Sequence, residues 1–201
     1  MNNKAAVEFL KEIEKFKTCE RTCRTTDTTR AESNAEHSWH LATFLLLLED
    51  ELTGVDFAKV LKLALIHDLP EIYAGDTNPY RGDLKNKEEK EKEAANKLFN
   101  ILPSTPRLKF KQLFEEYLNQ TTVEARFVKS ADKLMPLIQN LCTNNEYSSY
   151  RKLQVDYQEA KDYLDQYFQV DNILKTLYES LLEEAKVKGV FFNNNKRINK
   201  S

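Results

Sequence analysis

Glycine and proline are scarce in this sequence, with four and five residues among 201. That scarcity excludes a turn-rich β fold and favours long helices. Cysteine is equally sparse: Cys19, Cys23 and Cys142 build no disulfide framework, which points to a reduced, cytoplasmic compartment. No apolar run approaches the ~18 residues a membrane span needs. The longest, Leu41 to Leu48, is interrupted by Thr43, so no membrane partner is expected. The first residues, MNNKAAVEFLKEIEKF, carry acids and no continuous apolar core, unlike a signal peptide. Neither charge sign dominates. A net charge of −2 gives no overall pull towards nucleic acid, and none is expected as a partner.

What is present is an ordinary globular balance, 41% hydrophobic and 31% charged. The length suits one domain with a substantial core. Phe9, Ile13 and Phe16 share one face of a first helix ending near Lys17. Thr18 to Ala31 has no apolar period and reads as a loop with local turns. Ser33 and Glu36 have capping-box spacing, opening a second helix that runs to about Leu52 before Gly54. A third spans Asp56 to about Asp68, and Pro70 predicts a break or restart there. Residues 75–82, GDTNPYRG, form a loop with a turn at Asn78-Pro79. Helices follow from Lys85 to Leu102 and from Arg107 to Asn119. Thr121 and Glu124 again have capping-box spacing, opening a helix to about Leu141. Amphipathic segments at 148–168 and 171–188 complete the pattern. The expectation is an all-α fold: one helical domain over 1–189, with a flexible tail over 190–201.

Several polar residues fall on apolar faces. His37 lies on the line His37, Leu41, Phe44, Leu45, Leu48, Leu52. His67 completes the stripe Val60, Leu63, Ala64, His67. Asp132 sits among Phe127, Val128, Ala131 and Met135, where an uncompensated carboxylate is costly. Taken singly, each has an ordinary explanation. A core histidine is usually hydrogen-bonded, an inward aspartate is often a cap or half of an ion pair, and Asp68 with Glu71 fits a capped restart at Pro70. Their joint occurrence on three helices points instead to a mixed nitrogen and oxygen donor set for a divalent metal.

The segments AEHSWHLA (35–42), LALIHDLPEIYAGDTNP (63–79) and FVKSADKLMPL (127–137) resemble the H…HD…D signature of HD-domain hydrolases. The nearer likeness is to the branch that includes 5′-deoxynucleotidases, and it extends from about Lys15 to Leu141. The resemblance implies one divalent cation (Mn, Co, Fe, Zn or Mg) held by His37, His67, Asp68 and Asp132. It implies Glu71 as the catalytic carboxylate that orients or deprotonates water, and Arg21 as the holder of the substrate phosphate. Asp76 and Thr77, with Asp68, match positions that meet the nucleotide. It further implies a helical bundle, commonly a homodimer. One departure stands out. In the 5′-deoxynucleotidase subgroup a threonine, glycine and tryptophan follow the phosphate arginine; here Thr22, Cys23 and Arg24 do. The aromatic beside the sugar is absent, which leaves deoxynucleotide selectivity open.

The expected activity is release of phosphate from (deoxy)nucleoside monophosphates, so the partner is a small phosphorylated substrate. Phosphodiester or alarmone hydrolysis is the alternative, and a non-catalytic metal-binding module a third; intact Glu71 and Arg21 speak against the last. His40 reads as a neighbour of the site, not a ligand. Cys19 and Cys23, lacking a second pair, read as unrelated to metal. Trp39 is expected in the core. Residues 85–97, KNKEEKEKEAANK, read as a solvated helix face. The tyrosines at 147, 150, 157, 163 and 167 suggest a packed or dimeric surface, since no basic patch interleaves with them.

Overall fold

The computed structural model of the chain describes residues 3–193. Their regular elements are helices apart from one short hairpin, in agreement with the all-α expectation. They fall into two compact units: residues 3–21 with 33–131, and residues 22–32 with 132–193.

The first unit carries α1 (Asn3–Ile13), α2 (Asn34–Leu47), α3 (Phe57–Ile66), α4 (Glu71–Ala74), α5 (Lys87–Phe99) and α6 (Ser104–Asn119). It also carries the start of α7 (Val123–Cys142). A 3-10 turn, Glu14–Thr18, continues α1 and turns Phe16 inward. Phe9 and Phe16 join Ile66, Leu69, Leu98, Phe99, Leu102 and Phe114 in one buried cluster. Phe99 meets Phe110 and Phe114 edge-on, at centroid separations of 5.6 and 6.1 Å. Burial of each such side chain contributes roughly 1.5–3 kcal/mol. Ile66 and Leu69 bracket the His67-Asp68 dipeptide, so this cluster anchors that dipeptide from both sides.

Local chemistry sets the helix boundaries. Ser33 and Glu36 form the full capping box that opens α2. Asp56 caps α3 by accepting from the Lys59 amide. Pro70 restarts the chain as α4, as its fixed φ predicts. The expected box at Thr121 and Glu124 is corrected. Thr122 Oγ1 accepts from the Ala125 amide, while Glu124 turns to Asp56 N at 3.1 Å and Lys59 Nζ at 2.8 Å. Lys59 also reaches Glu116 at 3.0 Å, so one lysine ties α3 to α6 and α7.

The expected loop at 18–31 is also corrected. It contains β1 (Glu20–Arg24) and β2 (Ala31–Ser33), paired as a two-stranded sheet. Asp27 closes the turn, accepting from Thr25 Oγ1 at 2.5 Å and Thr29 N at 3.2 Å. Of the threonines in this segment only Thr22 lies in a strand, so β propensity gave little signal for the pairing.

The second unit holds the rest of α7, then α8 (Ser149–Lys152), α9 (Tyr157–Leu164) and α10 (Asn172–Val187). The segment expected to run over 148–168 is broken at Gln154, whose φ is 56°. Asp156 then caps α9 through the Glu159 amide. Phe168 stacks on Tyr178 at 4.2 Å, and Tyr150 and Tyr157 close on Phe191. Val190 and Phe191, assigned to the tail by sequence, are buried here, and Phe192 N donates to Val155 O. Residues 194–201 of the expected tail lie outside the described residues. Trp39 is a further correction: it is 68% exposed on α2, with Leu46 and Leu47 exposed further along the same helix.

Candidate functional site

His37 rises from the first turn of α2 and is 1% exposed. His67 is the C-cap of α3 and is 3% exposed. Its position explains its chemistry. The Ala64 carbonyl, near the end of α3, lies 2.8 Å from His67 Nδ1, which donates to it. That bond fixes the tautomer and leaves the lone pair on Nε2. Nε2 lies 3.0 Å from Asp68 Oδ2, and His37 Nε2 lies 3.8 Å from the same oxygen. The two imidazole rings are 5.5 Å apart.

Asp132 stands on α7 and is 4% exposed. One donor atom each from His37, His67, Asp68 and Asp132 lie within 4.8 Å of one another. Two imidazole nitrogens and two carboxylate oxygens, with His37, His67 and Asp132 buried and Asp68 half-buried, are a set that could hold a metal ion. The burial of the Asp132 carboxylate is otherwise expensive. A lysine follows directly: Lys133 Nζ bonds Asp132 Oδ2 at 2.8 Å. Burial alone would lower the Lys133 pKa, but Asp132, with Tyr163 and Tyr167, together outweigh it, so the ammonium stays charged.

Arg21 Nη1 donates to Asp68 Oδ2 at 2.9 Å and to Asn34 Oδ1 at 3.3 Å. Asn34 Nδ2 in turn donates to Glu71 Oε2 at 2.6 Å. Glu71 is the first residue of α4, placed there by the Pro70 restart, and is 7% exposed. Burial pushes its carboxyl well above the usual range, and the negative charges of Asp68 and Asp76 push further. Arg21 and the Asn34 hydrogen bond pull it back. Positive charge placed among these acids would lower it again, which is what a cation at the donor set would supply.

Asp76 and Thr77 sit half-buried on the loop after Gly75, whose φ of 76° turns the chain out of α4. Asp76 is close enough to act on Glu71 electrostatically, whereas Thr77 packs towards Gly82. A Cβ on Gly82 would come within 2.3 Å of the Asn78 carbonyl oxygen, so this loop requires glycine there. His40 is half-buried, stacks on Trp39 and stands outside the donor cluster. Cys19, Cys23 and Cys142 are all free thiols. Arg24 lies over the Tyr147 ring, 5.7 Å from its centroid. Sequence reasoning missed Asn34 and Lys133. Asn34 sits directly after the cap Ser33, where a polar residue reads as part of the helix start. Lys133 reads as an ordinary charge beside Asp132.

The model of the family described as HD domain matches residues 13–171. A protein named 5′-deoxynucleotidase HDDC2 from Xenopus laevis is 35% identical over 124 residues, and its Homo sapiens namesake 34% over 113. These matches cover 61% and 55% of this chain but only 59% and 53% of those proteins. The crystal structure of a predicted metal-dependent phosphohydrolase from Magnetospirillum magnetotacticum MS-1 is similar with a TM-score of 0.85 and 34% identity. It covers 94% of this chain and 98% of that one. An HD-domain phosphohydrolase from Listeria innocua shares the fold, with a TM-score of 0.57 at 18% identity, over 98% and 99% of the two chains.

Proposed function

This chain belongs to the HD domain family, and from that premise we propose that it is a metal-dependent phosphohydrolase releasing phosphate from nucleoside monophosphates. The observation that carries the reading is one carboxylate with two neighbours of different kinds. Asp68 Oδ2 faces His67 Nε2 at 3.0 Å and Arg21 Nη1 at 2.9 Å. A metal donor and a phosphate-binding cation therefore meet on a single side chain. The solved relative spanning nearly all of this chain is described as a metal-dependent phosphohydrolase, and the curated relatives are named 5′-deoxynucleotidases.

His37, His67, Asp68 and Asp132 would hold one divalent cation, from the group Mn, Co, Fe, Zn and Mg. When bound, such an ion supplies Lewis-acid polarisation and a more acidic water. The remaining chemistry belongs to the chain. Arg21 presents a planar guanidinium that pairs with two non-bridging phosphoryl oxygens and offsets charge building in the transition state. Glu71, buried and carrying a raised pKa, orients the attacking water and takes its proton. Asp76 and Thr77 meet the sugar. Burial of Glu71 limits bulk water around the reacting groups.

The enzyme acts as a homodimer in the cytoplasm. The exposed Trp39, Leu46 and Leu47 on α2 support the first statement, and three free thiols the second. No helix among the described residues is long and apolar enough to cross a membrane.

The test is a screen of phosphate release from mono-, di- and cyclic nucleotides and alarmones, with each of the five metals. A nucleoside monophosphate should lead. Preferential cleavage of a cyclic nucleotide or alarmone would replace the reading, and no release from any of them would end it. Light scattering at micromolar concentration checks the dimer.

A further inference from the structure

Asn34 is fully buried, and its groups are committed in three directions. Its backbone N–H donates to the Cys19 carbonyl at 2.9 Å. Its Oδ1 accepts from Arg21 Nη1 at 3.3 Å, and its Nδ2 donates to Glu71 Oε2 at 2.6 Å. The orientation of the amide follows from Arg21: a guanidinium can only donate, so it takes Oδ1 and leaves Nδ2 facing Glu71. Resting on the phosphohydrolase reading above, we propose that Asn34 is a positioning residue, a neutral spacer that holds the Arg21 guanidinium and the Glu71 carboxylate apart and aims each at its own task.

A half-buried guanidinium and a buried carboxylate that feel one another's charge favour a direct, bidentate pair. Such a pair would quench both groups. Arg21 would lose the fork it needs for phosphate, and Glu71 would lose the electron pairs it needs for water. Asparagine prevents this because its amide offers an acceptor on one side and a donor on the other without adding charge. Asn34 holds Glu71 Oε2, so Oε1 is the oxygen that turns to water. On the other side, Asn34 and Asp68 share Arg21 Nη1, which sets the plane of the fork. The backbone adds a third constraint. Cys19 lies two residues before Arg21, so the Asn34 N–H also fastens the start of the strand that carries the arginine. A structural amide would need only partners; this one joins the two groups that the reaction assigns to phosphate and to water.

The test compares Asn34→Asp with Asn34→Leu. The aspartate keeps an acceptor for Arg21 and replaces the donor facing Glu71; the leucine removes both at similar volume. Asn34→Asp should lower kcat roughly 10- to 100-fold, the usual loss when an orienting partner is removed, with KM near that of the parent protein. Asn34→Leu should lower kcat comparably and also raise KM several-fold. Mn2+ titrated into metal-stripped protein should bind both variants and the parent alike. An arm without turnover titrates inorganic phosphate into the Mn2+-loaded proteins: Asn34→Leu should bind about tenfold more weakly, Asn34→Asp near parent. Asn34→Ser replaces the leucine variant if circular dichroism shows that the latter fails to fold. The proposal is overturned if folded variants with parental Mn2+ affinity keep kcat within about twofold. It is equally overturned if the two variants shift KM and phosphate affinity equally, the pattern of a packing defect. If the parent hydrolyses no phosphate ester, the phosphohydrolase reading fails, while the phosphate titration still decides whether Asn34 orients Arg21.

Discussion

His67 Nδ1 donates to the Ala64 carbonyl across 2.8 Å, so a helix end dictates which imidazole nitrogen faces the donor cluster. The Ala64 carbonyl lies in the last turn of α3, where carbonyls lack onward partners along the helix. Binding to the folded state alone adds RT ln(1 + [L]/Kd) to stability, about 2.7 kcal/mol at a hundredfold excess over Kd. His67→Ala should therefore abolish stoichiometric metal and the thermal shift that metal produces in the parent protein. Elemental analysis and melting with and without EDTA check it. Full occupancy in the variant would remove His67 from the ligand set.

Glu71 tests the separation of binding from chemistry. Glu71→Gln keeps the shape and lets the side-chain oxygen go on accepting from Asn34 Nδ2. It removes the proton acceptor. Metal content and melting temperature should stay near those of the parent, while kcat falls by about two to four orders of magnitude. Steady-state kinetics with metal content measured in parallel decide it; an unchanged kcat would take the base role away from Glu71.

Arg21 and Arg24 stand three residues apart on β1 and meet different partners. Arg21 engages Asp68 and Asn34, whereas Arg24 lies over Tyr147. Lysine keeps the charge and loses the fork. Arg21→Lys should lower kcat/KM by one to three orders of magnitude, about 1.4–4 kcal/mol. Arg24→Lys should change it less than threefold or so, as an interaction made away from phosphate would. The reverse ranking would show that Cys23 and Arg24 mark a rearranged phosphate site.

Glu124 carries the pH prediction. Burial raises its pKa, but the hydrogen bonds from Lys59 and the backbone outweigh that and bring it down to about 2. A depressed carboxylate pKa contributes stability above its ordinary pKa near 4.5, and that contribution disappears as pH falls towards 2. Glu124→Gln should thus be less stable than the parent at pH 7 by about 2–3 kcal/mol. The gap should narrow progressively below pH 4.5. Urea melts of both proteins between pH 7 and 3 measure it, and a gap that is constant over that range contradicts the assignment.

The sequence by itself determined that His37, His67 and Asp132 turn inward, and from which helices. His37 and His67 lie on apolar stripes of period 3.6, and Asp132 lies among core residues, so burial of each could be read from a single helix. The break after Asp68 was equally legible, because Pro70 acts on its immediate neighbour. Only the tertiary structure decided what lies opposite each face. Trp39 is exposed because two residues carry it about 200° round α2 from buried His37; its size and apolar character, not its place on the helix, suggested the core. The hairpin at 20–33 depends on pairing across a turn, which leaves no apolar rhythm in either strand. Asn34 and Glu71 are 37 residues apart, and neither flanking sequence encodes the hydrogen bond between them. It exists because the capping box starts α2 at one place, the proline restarts α4 at another, and the Phe9–Phe114 cluster packs the helices that carry both ends.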